Sequence, residues 1–457
     1  MVIEIDEREI TMKKRIRPAI LLTLVLIFLF PQSTGCAPKE IEQTNNSLRV
    51  AYFGTDLTVS YPLYEFKQQH PDVEVTTDFQ PYTDEDMLGY EFYTRISAEI
   101  MSGSGPDIIL ISNSGMNAGK MMRSGIFADL NEFIEADPEF DLSKYNANVL
   151  KAGQVEGKQY IMPLTYTIPL VLTTQELLDK TGFDISTADN YNAFLEECLK
   201  YRQANIPGAP KLAMNNYIMP YLADAVDYDT GEVKINTPEN RETIRLNYEA
   251  IASQRGAEGY GVIGGGISFA LPLLENQSLF THSFMPLVYH FDSYRALKDV
   301  GTPVMTAVCD AEGRLMAEIV DSVAINANSP NKQNAYAFIK LMLDGLSSEQ
   351  QISGMTEIPI SNEAVESYLE SLIGKEEKLS DVYPGYVCEV ETLQGLTQEE
   401  ADAYMGFLSE IDGAYIQEKD VYDTHRETIR PYYQSETTDL DSCIKAMEDK
   451  LKILISE

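Results

Sequence analysis

Side-chain catalysis needs a nucleophile beside a base, a metal-ligand set, or an acid and base held at a workable distance, and this sequence offers few such patterns. His70, His282, His290 and His425 show no HExxH or similar spacing, so no histidine metal site is expected. Cys198, Cys309, Cys388 and Cys443 are far apart and form no CxxC, which excludes a zinc or redox motif; isolated buried thiols are the expectation, with a disulfide the alternative that an extracytoplasmic location permits. GxSxG and SxxK with partners are absent, against an esterase or a penicillin-binding enzyme. With 71 Asp and Glu, paired carboxylates would occur by chance and do not mark a glycosidase. Ile263–Ala270 is glycine-rich but lacks a phosphate-binding signature and reads as a loop. Thr83–Met87 is acidic without the EF-hand spacing and reads as a helix start. The chain has 27 Tyr and 17 Phe but no Trp, so any aromatic stacking would fall to Tyr and Phe.

Such groups must be positioned by regular elements. Leu48–Phe53 has the apolar run and length of a strand. After it, Tyr61, Tyr64 (or Leu63) and Phe66 mark one face of a short helix that Pro71 helps to end. Val73–Phe79 alternates as a strand. Leu88, Phe92, Ile96 and Ile100 are spaced four apart, as on a helix that breaks at Gly103 and Gly105. "PDIILIS" then reads as a strand buried on both faces. Strand, helix, strand, helix, strand implies an α/β fold with a mostly parallel sheet covered by helices.

Ligands collect at the loops beyond the carboxyl ends of such strands. This places Tyr52, Phe53 and Asp56 after the first strand, Tyr82 after the second and Asn113 after the third as ligand-binding candidates. Tyr52 and Phe53 equally fit a hydrophobic core, and Asp56 a helix N-cap. Farther on, Phe284–Lys298 looks like a strand entering a helix, which leaves Tyr289, His290, Phe291 and Asp292 at the strand end; Asp292 is again a candidate N-cap.

The front of the chain carries an address. Met12–Pro18 holds four basic residues, and Ala19–Phe30 is apolar except for Thr23. A basic segment, an apolar run of this length and small residues at its exit describe a secretory signal, expected over residues 1–35. The acidic leader before Met12 is unusual for such a signal, so Met12 is a second candidate start. Residues 36–47 are polar and unpatterned, the composition of a tether. Without residues 1–35, which hold five Lys/Arg and four Asp/Glu, 30 basic residues face 67 acidic ones, a net of −37. Nucleic acid and anionic lipid surfaces would both repel such a chain, so neither is expected as a partner. About 420 remaining residues exceed what one core usually serves, which implies two lobes.

Ser33-Thr34-Gly35-Cys36 resembles the lipobox of bacterial lipoproteins, which implies lipid attachment at Cys36; the usual leucine is Ser33 here. From Gly125 onward a second resemblance appears. Gly125 and Leu130, Gly157-Lys158, Tyr160, Pro163, Leu177-Leu178 and Gly182 are similar to the pattern of family 1 extracellular solute-binding proteins, the receptors of ABC importers for sugars and similar solutes. "GSGPDIILI" resembles that family's turn into a strand. Ala324–Leu343, "AINANSPNKQNAYAFIKLML", resembles the segment after the second crossing in maltodextrin-binding proteins, and "GMTEIPISNEAV" a further crossing. In Ala324–Leu343, Ser329-Pro330 starts a helix with Ala335, Phe338, Ile339 and Met342 as its apolar stripe.

The resemblance implies a two-lobe periplasmic-binding-protein-like fold joined by a multi-crossing hinge, with lobe one at 48–163 and 322–350 and lobe two at 164–321 and 357–457. It implies crossings near Tyr160–Thr165, Ala317–Ser322 and Gln351–Pro359, and adds Thr165 and Tyr166 as ligand contacts. It implies no enzyme and no cofactor, but a monomeric receptor anchored on the extracytoplasmic face of the cell membrane. That receptor would deliver a solute, best read as a carbohydrate, to an ABC permease. An exported carbohydrate-active enzyme and a binding protein that feeds a non-sugar solute to a sensor are the competing readings.

Overall fold

The computed structural model describes residues 46–54, 57–83, 89–112, 115–210, 212, 219–252, 271–275, 277–283, 287–345, 357–385, 390–435, 437 and 439–456. The signal, the lipobox with Cys36 and most of the tether lie outside these residues, as do Asp56, Asn113, Cys388 and the glycine-rich Ile263–Ala270.

In chain order the elements that matter are β1 (Ser47–Gly54), α1 (Leu57–Gln69), β2 (Glu74–Pro81), α2 (Tyr90–Met101), β3 (Ile108–Ser112), α3 (Ala118–Arg123), β4 (Ile161–Thr167), β5 (Leu170–Thr174) and α4 (Tyr191–Ala204). There follow α5 (Pro238–Ala252), β6 (Thr281–Ser283), α6 (Leu287–Leu297), β7 (Pro303–Ala307), β8 (Met316–Ile325) and α7 (Lys332–Gly345). The chain ends with β9 (Ile358–Pro359), α8 (Asn362–Leu372), α9 (Gln398–Ser409), β10 (Gly413–Ile416), α10 (Lys419–Thr428) and α11 (Leu440–Ser456).

Seven strands form the large sheet in the order β9-β4-β8-β3-β1-β2, with β10 beside the first half of β8. β1 runs parallel to β2 and β3, and β8 runs parallel to β10. β8 is antiparallel to β3 and to β4, and β9 is antiparallel to β4, so the sheet is mixed. The second sheet, β6-β5-β7, departs from the mostly parallel expectation: both of its pairings are antiparallel. Only Ile168 and Pro169 separate β4 in the large sheet from β5 in the small one.

The periodicities translate into packing. α1 buries Leu63 and Phe66, with Phe66 meeting Phe338 of α7 edge-on at 5.7 Å. Tyr61 and Tyr64 of α1 face solvent, so of the two options at that turn it is Leu63 that belongs to the core. α2 buries Phe92, Ile96 and Ile100 against the opposite face of the sheet, and β3 is enclosed except at Ser112. All four residues of the expected α7 stripe are buried. Around the small sheet, Phe183, Phe194 and Phe280 join α4 to its surroundings in a second core. α10 and α11 close a third with Tyr221 and Ile235. Cys198 and Cys443 are buried free thiols, and Cys309 is a half-buried one.

Candidate functional site

β1, β2 and β3 place their carboxyl ends side by side, and the pleat decides what each end residue does. Tyr52 turns toward α1, is buried and stacks on the exposed Phe79 ring at 4.8 Å. Phe53 turns the other way, between Phe92 and Tyr93 of α2. Both are core residues first, the alternative that their sequence left open. Tyr82, just beyond β2, is 43 % exposed and meets Phe53 edge-on at 5.1 Å. Its ring covers Gly54, whose φ is +98° and whose missing Cβ would stand 2.6 Å from the Tyr82 ring. Glycine is therefore required at 54 both for the turn and for the aromatic above it.

The polar centre next to Tyr82 is Asp321, which no loop-based reading of the sequence singled out. It sits in β8 opposite both Ser112 of β3 and Thr165 of β4, at a register shift of the β8–β4 ladder. Ser112 Oγ donates to Asp321 Oδ1 at 2.6 Å, and Thr165 Oγ1 to Oδ2 at 3.3 Å. The Asp321 N–H returns a bond to Thr165 Oγ1 at 3.2 Å. Ser112 is itself fixed, because its N–H donates to the Tyr93 hydroxyl at 3.0 Å while that hydroxyl donates to the Leu110 carbonyl. A chain of hydrogen bonds thus runs from α2 through β3 and β8 to β4. Burial pushes the Asp321 carboxyl above its ordinary range against these donors, which favour the charged form. Burial also raises the Tyr82 hydroxyl, with Asp321 and Glu357 adding their negative charge. Asp321 and Glu357 thus act electrostatically on Tyr82, and this end of the sheet offers both an accessible ring and acceptors suited to hydroxyl donors. An acid directly after the apolar Ile319-Val320 and shortly before Val323-Ala324-Ile325 was the available sequence signal.

Thr165 therefore joins the site, and Tyr166 takes the other face of β4. It is 1 % exposed within the large core, its register partners are Ile319 and Ile358, and burial holds its hydroxyl well above the usual range. Adjacent residues of a strand point to opposite faces, so the two cannot line one groove together.

The expected strand end at Tyr289–Asp292 is instead the interior of α6, which already includes Leu287. His290 is buried, places Nε2 2.8 Å from Met305 Sδ and is held to a pKa of about 4 by its burial. Phe291 packs on Tyr404 at 4.7 Å. Asp292 accepts from the Tyr383 hydroxyl at 2.6 Å and pairs with the buried Arg295, whose remaining donors reach Gln394, Lys375 and Glu377. Burial raises Asp292 as well. Tyr289 is half-buried on the same helix. His290, Phe291 and Asp292 thus brace α6 within the fold.

Among the described residues no group of three or more His, Cys, Asp or Glu is arranged to hold a metal ion, and no helix is long and apolar enough to cross a membrane.

Residues 54–344 match the family described as bacterial extracellular solute-binding protein. Solved structures with the same fold include the sugar-binding protein MalE from Xanthomonas citri, at 12 % identity and a TM-score of 0.61, covering 90 % of this chain and 97 % of that one. An ABC substrate-binding protein from Listeria monocytogenes in complex with cycloalternan is 18 % identical with a TM-score of 0.55, over 90 % and 99 % of the two chains. The cyclic alpha-maltosyl-1,6-maltose binding protein from Arthrobacter globiformis gives 14 % and 0.56, over 90 % and 98 %. At these identities the likeness carries the two-lobe α/β fold.

Proposed function

The chain belongs to the bacterial extracellular solute-binding family, and on that premise we propose that it is a lipid-anchored receptor that traps a carbohydrate between two lobes and hands it to an ABC permease. Lobe one comprises 48–163 and 322–350, lobe two 164–321 and 357–457, and β4, β8 and β9 run side by side where the chain crosses between them. Cys36 carries the lipid and residues 37–47 the reach.

The observation that carries the reading is Asp321, held at the strand crossing by Ser112 and Thr165 beside the half-open Tyr82 ring. A ring suits the C–H face of a sugar, while Asp321 and Glu357 accept from its hydroxyls. Similarity to proteins named for cycloalternan, for cyclic alpha-maltosyl-1,6-maltose and for sugar binding supports the same class. A solute that contacts both lobes binds the closed form better than the open one, and that difference drives closure.

The test is thermal-shift screening of the protein against mono- and oligosaccharides. A true ligand at 100 times its dissociation constant adds about 2.7 kcal/mol. Tyr82→Ala and Asp321→Asn should each weaken that ligand tenfold or more. A panel in which no sugar stabilises the protein, or variants that bind as tightly as the parent, would overturn the assignment. Hydrolysis of a glycoside from the same panel would favour an enzyme instead.

A further inference from the structure

Away from Asp321, α3 is seamed to the start of α10 and to the turn that carries Tyr228. The Gly119 N–H donates to Glu418 Oε1 at 2.7 Å, the Asp420 N–H to Asn117 Oδ1 at 2.8 Å and the Lys419 N–H to the Met116 carbonyl at 3.2 Å. The Tyr228 ring lies directly on Gly119, where a Cβ would stand 2.4 Å from the nearest ring carbon. Glu418 is 8 % exposed, and among the described residues its Oε2 makes no hydrogen bond. The carboxyl borders a cavity of about 280 Å³ between α3, Lys151–Val155, Leu222–Asp229 and β10. Under the lobe assignment above, Asn117 and Gly119 belong to one lobe and Tyr228 and Glu418 to the other.

We propose that Glu418 sets solute affinity from outside the binding groove, by acting as a proton-controlled latch on lobe closure: with the carboxyl protonated, α3 and α10 stay seamed; with it ionised, the seam loosens and the open form is favoured. This rests on the two-lobe receptor reading.

The surroundings leave Glu418 without a cation of its own. Of the groups around the cavity, Asp224 is held by Arg314, Asp227 by Lys234, and Lys151 by Asn148. Asp229 accepts the Glu156 N–H, and Tyr415 donates to Glu318. In its own helix Lys419 pairs with Asp423 and lies over the Tyr90 ring, while Asp420 adds a like charge. Arg123 of α3 acts on the Tyr228 hydroxyl, which itself hydrogen-bonds Glu418 and, with the Gly119 N–H, favours the charged form against the larger effect of burial. Burial, the largest cause, pushes Glu418 up to about 8. Once opened to water the same carboxyl would titrate near 4.3. Closing therefore takes up a proton between these values, and each unit of rising pH across roughly 5 to 8 disfavours the seamed form by up to tenfold.

The test is the radius of gyration of the solute-free full chain, measured by small-angle X-ray scattering from pH 5 to 9. The parent should expand as pH rises, Glu418→Gln should stay compact throughout, and Gly119→Ala, which drives a methyl into the Tyr228 ring, should be expanded at every pH. A parent and a Glu418→Gln that follow the same curve would overturn the latch, as would a compact Gly119→Ala. The measurement needs no sugar, so failure of the carbohydrate screen and failure of the latch remain separate results.

Discussion

Asp107, in the turn before β3, accepts a 2.6 Å hydrogen bond from Ser329 Oγ, 222 residues farther along the chain. The same carboxylate accepts the Arg49 N–H at 2.7 Å and Asn331 Nδ2 at 3.2 Å. It is 6 % exposed. One side chain thus ties the start of β1, the entry to β3 and the turn into α7. Asp107→Ala would strand three donors, each costing about 1–3 kcal/mol when buried and unmet. Urea unfolding followed by circular dichroism should show a loss of about 3 kcal/mol or more; a loss below about 1 kcal/mol would contradict the role.

This knot also explains what was legible in the sequence. "GSGPD" and "NANSPNK" are recognisable because their polar residues are fixed by each other: Asn326 Nδ2 reaches the Ser104 and Pro106 carbonyls while Asp107 takes Ser329 and Asn331. β1 to β3, α1, α2 and the α7 stripe follow from local periodicity. "FMPLVYHF" misled because a short apolar run fits a strand or a buried helix equally well. The resemblance implies both Thr165 and Tyr166 as contacts, whereas the pleat of β4 sends Tyr166 into the core. Asp321 was missed because its partners, Ser112 and Thr165, lie 209 and 156 residues away in sequence.

Two glycines should respond to alanine in opposite ways. A Cβ on Gly153 would stand 1.9 Å from the Ile161 carbonyl oxygen, a backbone atom at the start of β4 that cannot swing aside. Gly153→Ala should cost about 2–3 kcal/mol by overpacking. Gly406 lies inside α9 with open space around its Cβ position. Gly406→Ala should add about 0.5–1 kcal/mol, through helix propensity and a less free unfolded chain. Thermal melts of both variants check the pair, and the same sign for both would refute this account.

Asp321 should trade stability for binding. Its pKa is raised in the folded state, so the folded protein holds that proton more tightly than the unfolded chain does. Its favourable contribution is present below the unfolded value and is lost as pH rises through the folded one, above which an ionised, partly desolvated carboxylate remains. Asp321→Asn should therefore raise the Tm of the solute-free protein at pH 7, with the gain shrinking toward pH 3.5, while weakening the solute. A Tm that falls at pH 7 would show that Ser112 and Thr165 more than offset the burial.

His425 should make the α10–α11 region sensitive to acid. Its Nε2 is 2.9 Å from the Tyr221 hydroxyl, which also meets the Tyr433 hydroxyl at 2.9 Å, and Nδ1 makes no hydrogen bond among the described residues. Burial, aided by Arg430, lowers the imidazole to about 4. The unfolded chain, titrating near 6.5, then binds more protons than the folded one between those values. Stability is fully present above about 6.5 and is lost as pH falls toward 4, by about 3 kcal/mol for a shift of this size. His425→Phe removes the titration but also the bond to Tyr221, so its stability at pH 7 should drop while its dependence on pH flattens. The decisive quantity is that slope, from chemical denaturation at pH 7, 6, 5 and 4: parallel lines for parent and variant would show that His425 does not carry the acid response.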